Sequence, residues 1–364
     1  MINQDRLIDT FLELVRIDSP SGQEAVIGRD LAGRLQALGL KTTFDEIGNL
    51  IGLLEGEGDN WLLLSAHMDT VGTDIGIEPV IRDGVIYSAG DTILGGDDKS
   101  GVAAILEVLE TLREQGLAHP PLEVVISVGE EQGLYGARHL DTSQLKARQG
   151  VILDAGGPTG HLVIAAPGQD SLVFTVHGVS SHAGSEPEKG INAIRVAAEA
   201  IAAMPLGRID FETTSNIGII QGGTARNIVP DRVRVVGEAR SRDPKKLEKL
   251  TASILDAFNG AAARHNTRVD CDVTRAYDAY RLSEQTPIVQ TTAAAARESG
   301  HEVMLRSSGG GTDGNIYNAA GIACVVISTG MEEVHTPSEH IAIADMVAGT
   351  ELLLAVVRSV NRSA

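Results

Sequence analysis

The stretch WLLLSAHMDT, residues 61–70, is a short apolar run that ends in a histidine and an aspartate. The stretch LEVVISVGEE, residues 122–131, has the same form and ends in two glutamates. Between them, residues 101–116 place apolar side chains at helical spacing. This order of strand, helix and strand predicts a βαβ unit whose strands are covered by helices on both faces.

Neighbouring segments extend this unit. Residues 151–154 form a further short apolar run, and residues 5–16 have the spacing of an amphipathic helix. Ser21 and Glu24 form a capping-box pattern, which predicts a helix that runs to Gly39. We therefore expect an α/β domain with a mixed, mostly parallel sheet and helices on both faces.

The pattern changes at about residue 168, where strands and helices follow one another in the order β-α-β-β-α-β. This is the order of a ferredoxin-like α+β domain. We place it as an inserted domain at 168–275. Residues 1–167 and 276–364 then form one discontinuous domain, in which a helix, a strand and a final helix follow the insertion.

The composition limits the class of protein. With 364 residues, 43% of them hydrophobic and 41 of them glycine, the chain is predicted to be a globular protein of two domains. Its net charge of −19 argues against nucleic acid or an anionic membrane as a partner, because both require a basic surface.

The cysteines and the N-terminal residues bear on location. The chain has two cysteines, Cys271 and Cys324, both in strand-like runs, and we expect both to be buried free thiols. The first residues lack the basic start and continuous apolar stretch of a signal peptide, and no apolar run is long enough to span a membrane. The expected location is the cytoplasm.

Histidines and carboxylates occur where several predicted strands end. None of the group is a cysteine, and structural zinc sites are usually rich in cysteine, so the group indicates a catalytic site for zinc, cobalt or manganese. In open α/β sheets, ligands bind at the carboxyl ends of the strands. The residues are His67, Asp69, Asp97, Glu130, Glu131, Asp154 and His335.

Four motifs contain all of these residues except Asp154: SAHMDT, LGGDDKSG, GEEQGLYGA and EVHTPSE. They resemble motifs of the dinuclear zinc peptidases in the aminoacylase and carboxypeptidase G superfamily, and within it those of the peptidase T (tripeptide aminopeptidase) branch. The resemblance runs from residues 19–24 to the C-terminal helix. It implies a metallopeptidase that cleaves small peptides, with two Zn²⁺ ions per subunit, or Co²⁺ or Mn²⁺. It also implies an inserted domain that acts as a lid, and we expect a homodimer formed through that domain.

The same resemblance assigns the metal ligands. Asp97 bridges both ions, since a carboxylate has two oxygens and can hold two metals. His67 and Asp154 complete one metal site, and Glu131 and His335 complete the other.

Asp69 is two residues beyond His67, so on an extended backbone both side chains point the same way. It can then accept the imidazole N–H and fix the ring's tautomer. A helix or turn cap is the alternative role for this aspartate.

The resemblance also assigns the residues of catalysis and substrate binding. Glu130 is the general base and Glu131 the ligand, although the reverse assignment remains open. His182, in GVSSHAGSEPEKG, stabilises the oxyanion, often from a partner subunit, whereas a lone loop histidine is usually a solvated or capping residue. Asn227 and Arg240 are candidate substrate contacts, with ordinary surface polarity as the alternative.

One motif departs from the peptidase T pattern. In that branch an arginine directly precedes the GGTDG turn and is thought to bind the peptide's C-terminal carboxylate. Here Ser307, Ser308 and Gly309 precede the turn, and the nearest arginine is Arg306. The turn also lacks the Gly-Lys-Ser/Thr ending of a phosphate-binding loop.

Two other functions therefore remain. The same chemistry would act on an N-acyl amino acid or another non-peptide amide. The chain would otherwise be a metal-free binding protein that has lost catalysis, although its intact ligand set argues against this.

Overall fold

The computed structural model of the chain describes residues 1–360, and these form two compact units. Unit 1 contains Met1–Ala165, Arg281–Ser308 and the described residues from Thr312 onward. Unit 2 contains Ala166–Tyr280 together with Gly309–Gly311. Unit 2 is therefore slightly longer at each end than the predicted inserted domain, 168–275. It also includes the first glycines of the GGTDG turn. No helix within residues 1–360 is long and apolar enough to cross a membrane.

The secondary structure runs as follows. The helices are α1 (Gln4–Val15), α2 (Ala25–Ala37), α3 (Gly96–Gln115), α4 (Tyr135–His139), α5 (Ala193–Ala203), α6 (Pro244–Arg264), α7 (Pro287–Glu298), α8 (Asp313–Ala319) and α9 (Ile343–Ser359). The strands are β1 (Lys41–Phe44), β2 (Leu50–Leu54), β3 (Leu62–His67), β4 (Pro79–Arg82), β5 (Val85–Ser88), β6 (Leu122–Ser127), β7 (Gln149–Gly156), β8 (His161–Ala166), β9 (Gly168–His177), β10 (Gly207–Arg208), β11 (Thr213–Gly222), β12 (Arg232–Ser241), β13 (Val269–Tyr277), β14 (Tyr280–Arg281), β15 (Met304–Ser307), β16 (Ala323–Glu332) and β17 (His340–Ala342).

Unit 1 is built on a mixed sheet with the order β1-β2-β6-β3-β7-β16-β17-β5-β4. The four central strands, β6, β3, β7 and β16, are parallel to one another, and the strands on both sides of them pair antiparallel. Every residue of β3 and β6 is buried, as their continuous apolar sequence predicts. The predicted α/β fold with a mixed sheet is confirmed.

Two separate cores lie on the two faces of this sheet. Leu62 and Leu64 of β3 belong to a core that includes residues of α1, α3, α7 and α9. Leu63, between them, belongs to a second core with Tyr317 of α8 and Leu140. Successive side chains of a strand point to opposite faces, so the sheet has helices on both sides.

Unit 2 contains a sheet with the order β10-β11-β12-β9-β13, in which neighbouring strands are antiparallel. Strand β12 lies between β9 and β11, which is the split βαβ arrangement of a ferredoxin-like domain. The core of the unit joins apolar residues of β9 and β12 to α5 and α6. Phe174 of β9 stacks on Phe258 of α6 with ring centroids 3.8 Å apart.

Two local predictions are wrong. Ser21 does not cap α2; the N-cap of that helix is Glu24, and the Ser21 hydroxyl instead donates to Asp69 Oδ2 at 2.7 Å. Cys271 is exposed rather than buried, because it lies on β13, the strand at one edge of its sheet beside β9. Cys324 is buried, and both thiols are free, as predicted.

Candidate metal centre

The parallel strands bring the predicted residues to one edge of the sheet. His67 is the last residue of β3, and Glu130 and Glu131 open a short 3₁₀ turn just after β6. Asp154 lies in the last half of β7. Because β6, β3 and β7 are parallel neighbours, their carboxyl ends meet, and residues distant in sequence converge there.

Asp97 faces two histidines at once. Its Oδ1 lies 3.0 Å from His67 Nε2, and its Oδ2 lies 3.2 Å from His335 Nε2. The backbone at Asp97 is not helical, and its peptide bond with Asp98 is cis. The neighbouring Asp98 instead accepts backbone N–H groups, from His67 at 3.2 Å and from Gly101 at 3.2 Å. The two adjacent aspartates thus have different surroundings.

The start of α3 packs closely against strand β7. A Cβ added to Gly101 would lie 2.7 Å from the carbonyl oxygen of Leu153 and 2.4 Å from Asp98 Oδ1. Glycine is therefore required here for the start of α3 to approach β7. That approach brings the helix carrying Asp97 to the strand carrying Asp154.

Three groups of ligand atoms lie close enough to hold a metal ion. The groups are His67, Asp97 and Asp154; Asp97, Glu131 and His335; and His67, Glu130 and Glu131. In each group the donor atoms are within 4.8 Å of one another, and the first two groups share Asp97. In the second group, Glu131 Oε1 lies 2.9 Å from His335 Nε2.

Asp69 holds several parts of the centre in place. His67 Nδ1 lies 3.0 Å from the Asp69 carbonyl oxygen and 3.3 Å from its Oδ1. The Asp69 carboxylate also accepts the backbone N–H of Glu130 at 2.9 Å and of Glu131 at 3.2 Å. The sequence alone did not reveal the contacts of Asp69 with Ser21, Glu130 and Glu131, because these partners are 48 to 62 residues away.

The electrostatics of the centre call for bound cations. Burial, together with the charge of Asp154, raises the pKa of Glu130 well above its usual range, and burial with Asp97 does the same for Asp154. Hydrogen bonds from the His335 ring to the carboxylates of Asp97 and Glu131 raise the pKa of His335 to about 10. Buried carboxylates that repel one another are stabilised by metal ions. The imidazole and carboxylate donors therefore fit the two metal ions implied by the motifs.

The remaining predicted residues lie in unit 2. His182 is exposed, and its Nδ1 lies 3.1 Å from the backbone nitrogens of Gly184 and Ser185. Since Nδ1 accepts these two N–H groups, a neutral ring carries its proton on Nε2. The backbone oxygen of Asn227 accepts the N–H of Ala183, which places Asn227 beside the His182 loop.

Arg240 lies on β12, and its guanidinium donates to both oxygens of Glu238 at 2.9 Å. A carboxylate therefore orients this candidate substrate contact from within the same unit.

Residues 63–359 match the model of Peptidase family M20/M25/M40. The chain belongs to this peptidase family. It is 40% identical to the crystal structure of aminopeptidase PepT from Bacillus cereus, with 99% of each chain covered and a TM-score of 0.88. It is 38% identical to a tripeptidase from Staphylococcus aureus, with 100% of each chain covered and a TM-score of 0.93. Peptidase T from Geobacillus thermodenitrificans is 24% identical over 408 residues, 98% of each chain.

The resemblance to peptidase T and the prediction of a peptide hydrolase are therefore confirmed. In this M20 peptidase, Arg306 is the nearest arginine before the GGTDG turn, where the sequence departs from the peptidase T pattern. Arg306 lies on β15, where its Nη1 is 3.0 Å from His161 Nδ1 of the neighbouring strand β8. The Arg306 guanidinium therefore has a hydrogen-bond partner within unit 1.

The same turn contains a functional candidate that sequence reasoning did not assign. Asp313, at the start of α8, is buried, and the Ser127 hydroxyl at the end of β6 donates to its Oδ2. Its Oδ1 has no hydrogen-bond partner among the described residues. Burial raises the pKa of Asp313 to about 6. The turn motif of this M20 peptidase marked the residue, but no local pattern pointed to Ser127.

Proposed function

We propose that this M20 peptidase is a dinuclear metal-dependent aminopeptidase that cleaves small peptides such as tripeptides. One observation carries the proposal: the two oxygens of Asp97 face two different histidines, His67 and His335. A carboxylate shared in this way suits a bridge between two metal sites. The similarity to an aminopeptidase PepT and to a tripeptidase supports a peptide substrate.

The proposed ligands follow from the groups of donor atoms. His67, Asp97 and Asp154 would hold one ion, and Asp97, Glu131 and His335 the other. Imidazole and carboxylate ligands without thiolate favour Zn²⁺, with Co²⁺ or Mn²⁺ as substitutes. When bound, such ions polarise the scissile carbonyl and stabilise negative charge on its oxygen.

Glu130 is the proposed general base. Its backbone N–H is held by Asp69, and its side chain is buried at the same edge of the sheet as the proposed ligands. The Glu130 carboxylate accepts the proton of the attacking water and later delivers it to the leaving amine. Asp69 orients both the His67 ring and the turn that carries Glu130.

His182 is the proposed oxyanion donor. Two backbone N–H groups occupy its Nδ1, which leaves the Nε2 proton to donate to the negative oxygen of the tetrahedral intermediate. Asn227 and Arg240 are the proposed substrate contacts in the same unit. The Glu238 carboxylate holds the Arg240 guanidinium in a defined plane.

We also propose that unit 2 acts as a lid and that two chains form a homodimer through it. Strand β10 pairs with Thr214 and Ser215 of the ten-residue strand β11, so most of β11 lies at the edge of its sheet. Ile219 and Ile220 on that strand are 46% and 50% exposed. Edge strands with apolar side chains are usually covered or paired.

Mixing two inactive variants tests this dimer. If His182 completes the partner's site, mixed dimers of His182→Ala and Glu130→Gln chains regain one working site in two. Random exchange then restores about a quarter of wild-type activity, because about half of the dimers are mixed. Each variant alone is the control. No recovery in a confirmed mixed dimer, or a fully active monomer by light scattering, would show that His182 acts within its own chain.

We propose the cytoplasm as the location and a small peptide as the partner, rather than nucleic acid or a membrane. Both cysteines are free thiols, the state that a reducing compartment maintains. The net charge of −19 disfavours polyanionic partners.

The choice of substrate is tested by the carboxyl terminus of a tripeptide. A missing arginine before the GGTDG turn removes a charge-assisted contact worth about 1.5–3 kcal/mol, or roughly 10- to 150-fold in kcat/KM. We therefore expect a tripeptide and its C-terminal amide to be cleaved with kcat/KM values within about tenfold of each other. A preference for the free acid above about a hundredfold would mean that another cation binds the carboxylate. Cleavage of N-acyl amino acids but of neither peptide would instead identify a non-peptide amidohydrolase.

A further inference from the structure

Glu339 is a buried acid that lies outside the proposed ligand groups. It is 1% exposed, and its Oε2 accepts the backbone N–H groups of Leu94 and Gly95, both at 2.9 Å. Its Oε1 accepts the backbone N–H of Asp97 at 3.0 Å. Hydrogen bonds to an ionised acceptor are about twice as strong as neutral ones. One carboxylate, 242 residues away in sequence, thus holds the loop that presents the proposed bridging ligand.

The same carboxylate is tied to the other side of the centre. Glu339 lies four residues after His335, and its N–H donates to the Thr336 carbonyl oxygen at 3.0 Å. The Thr336 hydroxyl in turn donates to the Glu333 carbonyl oxygen at 2.7 Å and accepts the Ser338 N–H at 3.1 Å. These bonds form a compact turn between His335 and Glu339.

The two proposed metal groups depend differently on this turn. His67 and Asp154 belong to β3 and β7, where the ladder of the central sheet holds the backbone. His335 lies in a loop, and its side chain is 47% exposed. Its position relative to Asp97 therefore rests on the turn that ends in Glu339.

We infer that Glu339 is a positioning residue that sets Asp97 relative to His335 and thereby determines the affinity of the metal site formed by Asp97, Glu131 and His335. The inference rests on the proposed dinuclear function. Glu339 touches neither substrate nor the proposed ions, and it acts through the backbone of Asp97 and the turn at His335. The site of His67, Asp97 and Asp154 depends less on it.

Calorimetric titration of the metal-free full chain with Co²⁺ tests this inference. Glu339→Gln replaces one acceptor oxygen with an N–H₂ group that confronts backbone N–H donors. Wild type is expected to bind two ions. The variant should keep one affinity within about threefold and lose about 10- to 100-fold in the other, the range found when residues that support a ligand are changed. Added Co²⁺ should restore peptidase activity to the variant.

Two further variants separate positioning from folding. Glu332→Gln makes the same charge change at an exposed glutamate of β16 and should bind like wild type. Glu339→Asp keeps the charge but shortens the side chain, and it should weaken the same single site by a smaller factor. It also serves as the test if Glu339→Gln does not fold.

Two results would overturn the inference. One is wild-type affinity at both sites in the Glu339 variants, and the other is an equal loss at both sites, which indicates a purely structural role. Failure of wild type to bind two ions would instead overturn the proposed function.

Discussion

Glu130→Gln is expected to lower kcat by about 10²–10⁴-fold, the usual contribution of a general base, while two metal ions stay bound. Glutamine is nearly the same size as glutamate but cannot accept the proton of the attacking water. The backbone N–H of residue 130 still donates to Asp69, so the turn should keep its shape. Steady-state kinetics and elemental analysis of the same preparation measure the two effects separately.

Glu131→Gln is the matched control, because it makes the same chemical change at the adjacent residue. Glu131 Oε1 lies 2.9 Å from His335 Nε2 within one of the metal groups. This variant should lose metal as well as activity. If Glu130→Gln lowers the metal content and Glu131→Gln does not, the two glutamates have the opposite roles. The group of His67, Glu130 and Glu131 makes that outcome a real alternative.

Removal of metal is expected to abolish activity and to lower the free energy of unfolding. An ion present at a thousand times its dissociation constant stabilises the folded state by about 4 kcal/mol per site. Without ions, the buried carboxylates of Asp97, Glu130 and Asp154 repel one another, and the imidazoles of His67 and His335 offset part of their charge. Repulsion among buried carboxylates therefore opposes folding in the metal-free chain.

Dialysis against a chelator, followed by thermal unfolding and activity assays, measures both effects. Zn²⁺ or Co²⁺ added back should restore activity and the melting temperature together, whereas Mg²⁺ should not, since it prefers oxygen ligands. Dialysis in the same buffer without chelator is the control. Fully active protein with no more than trace metal would contradict a dinuclear mechanism.

The fold was predictable because its signals are local. Continuous apolar runs at residues 61–66 and 122–128 predicted the buried strands β3 and β6, with the amphipathic pattern of α3 between them. Wrong predictions arose where local patterns competed with distant partners. The Ser21 hydroxyl bonds to Asp69 instead of capping a helix, and Cys271 lies on an exposed edge strand although its neighbours have a strand-like sequence.

The sequence by itself determined the central strands, the chemistry of the donor set and the end of the sheet at which it gathers. Each depends on a residue's type and on its place in a short periodic segment. Only the tertiary structure showed that Asp97 faces both histidines, that Asp69 holds the turn of Glu130 and Glu131, and that Glu339 caps the Asp97 loop. These contacts join residues tens to hundreds of positions apart, and no local period encodes them. They exist because parallel strands bring distant segments to one edge, where burial favours a partner for each polar group.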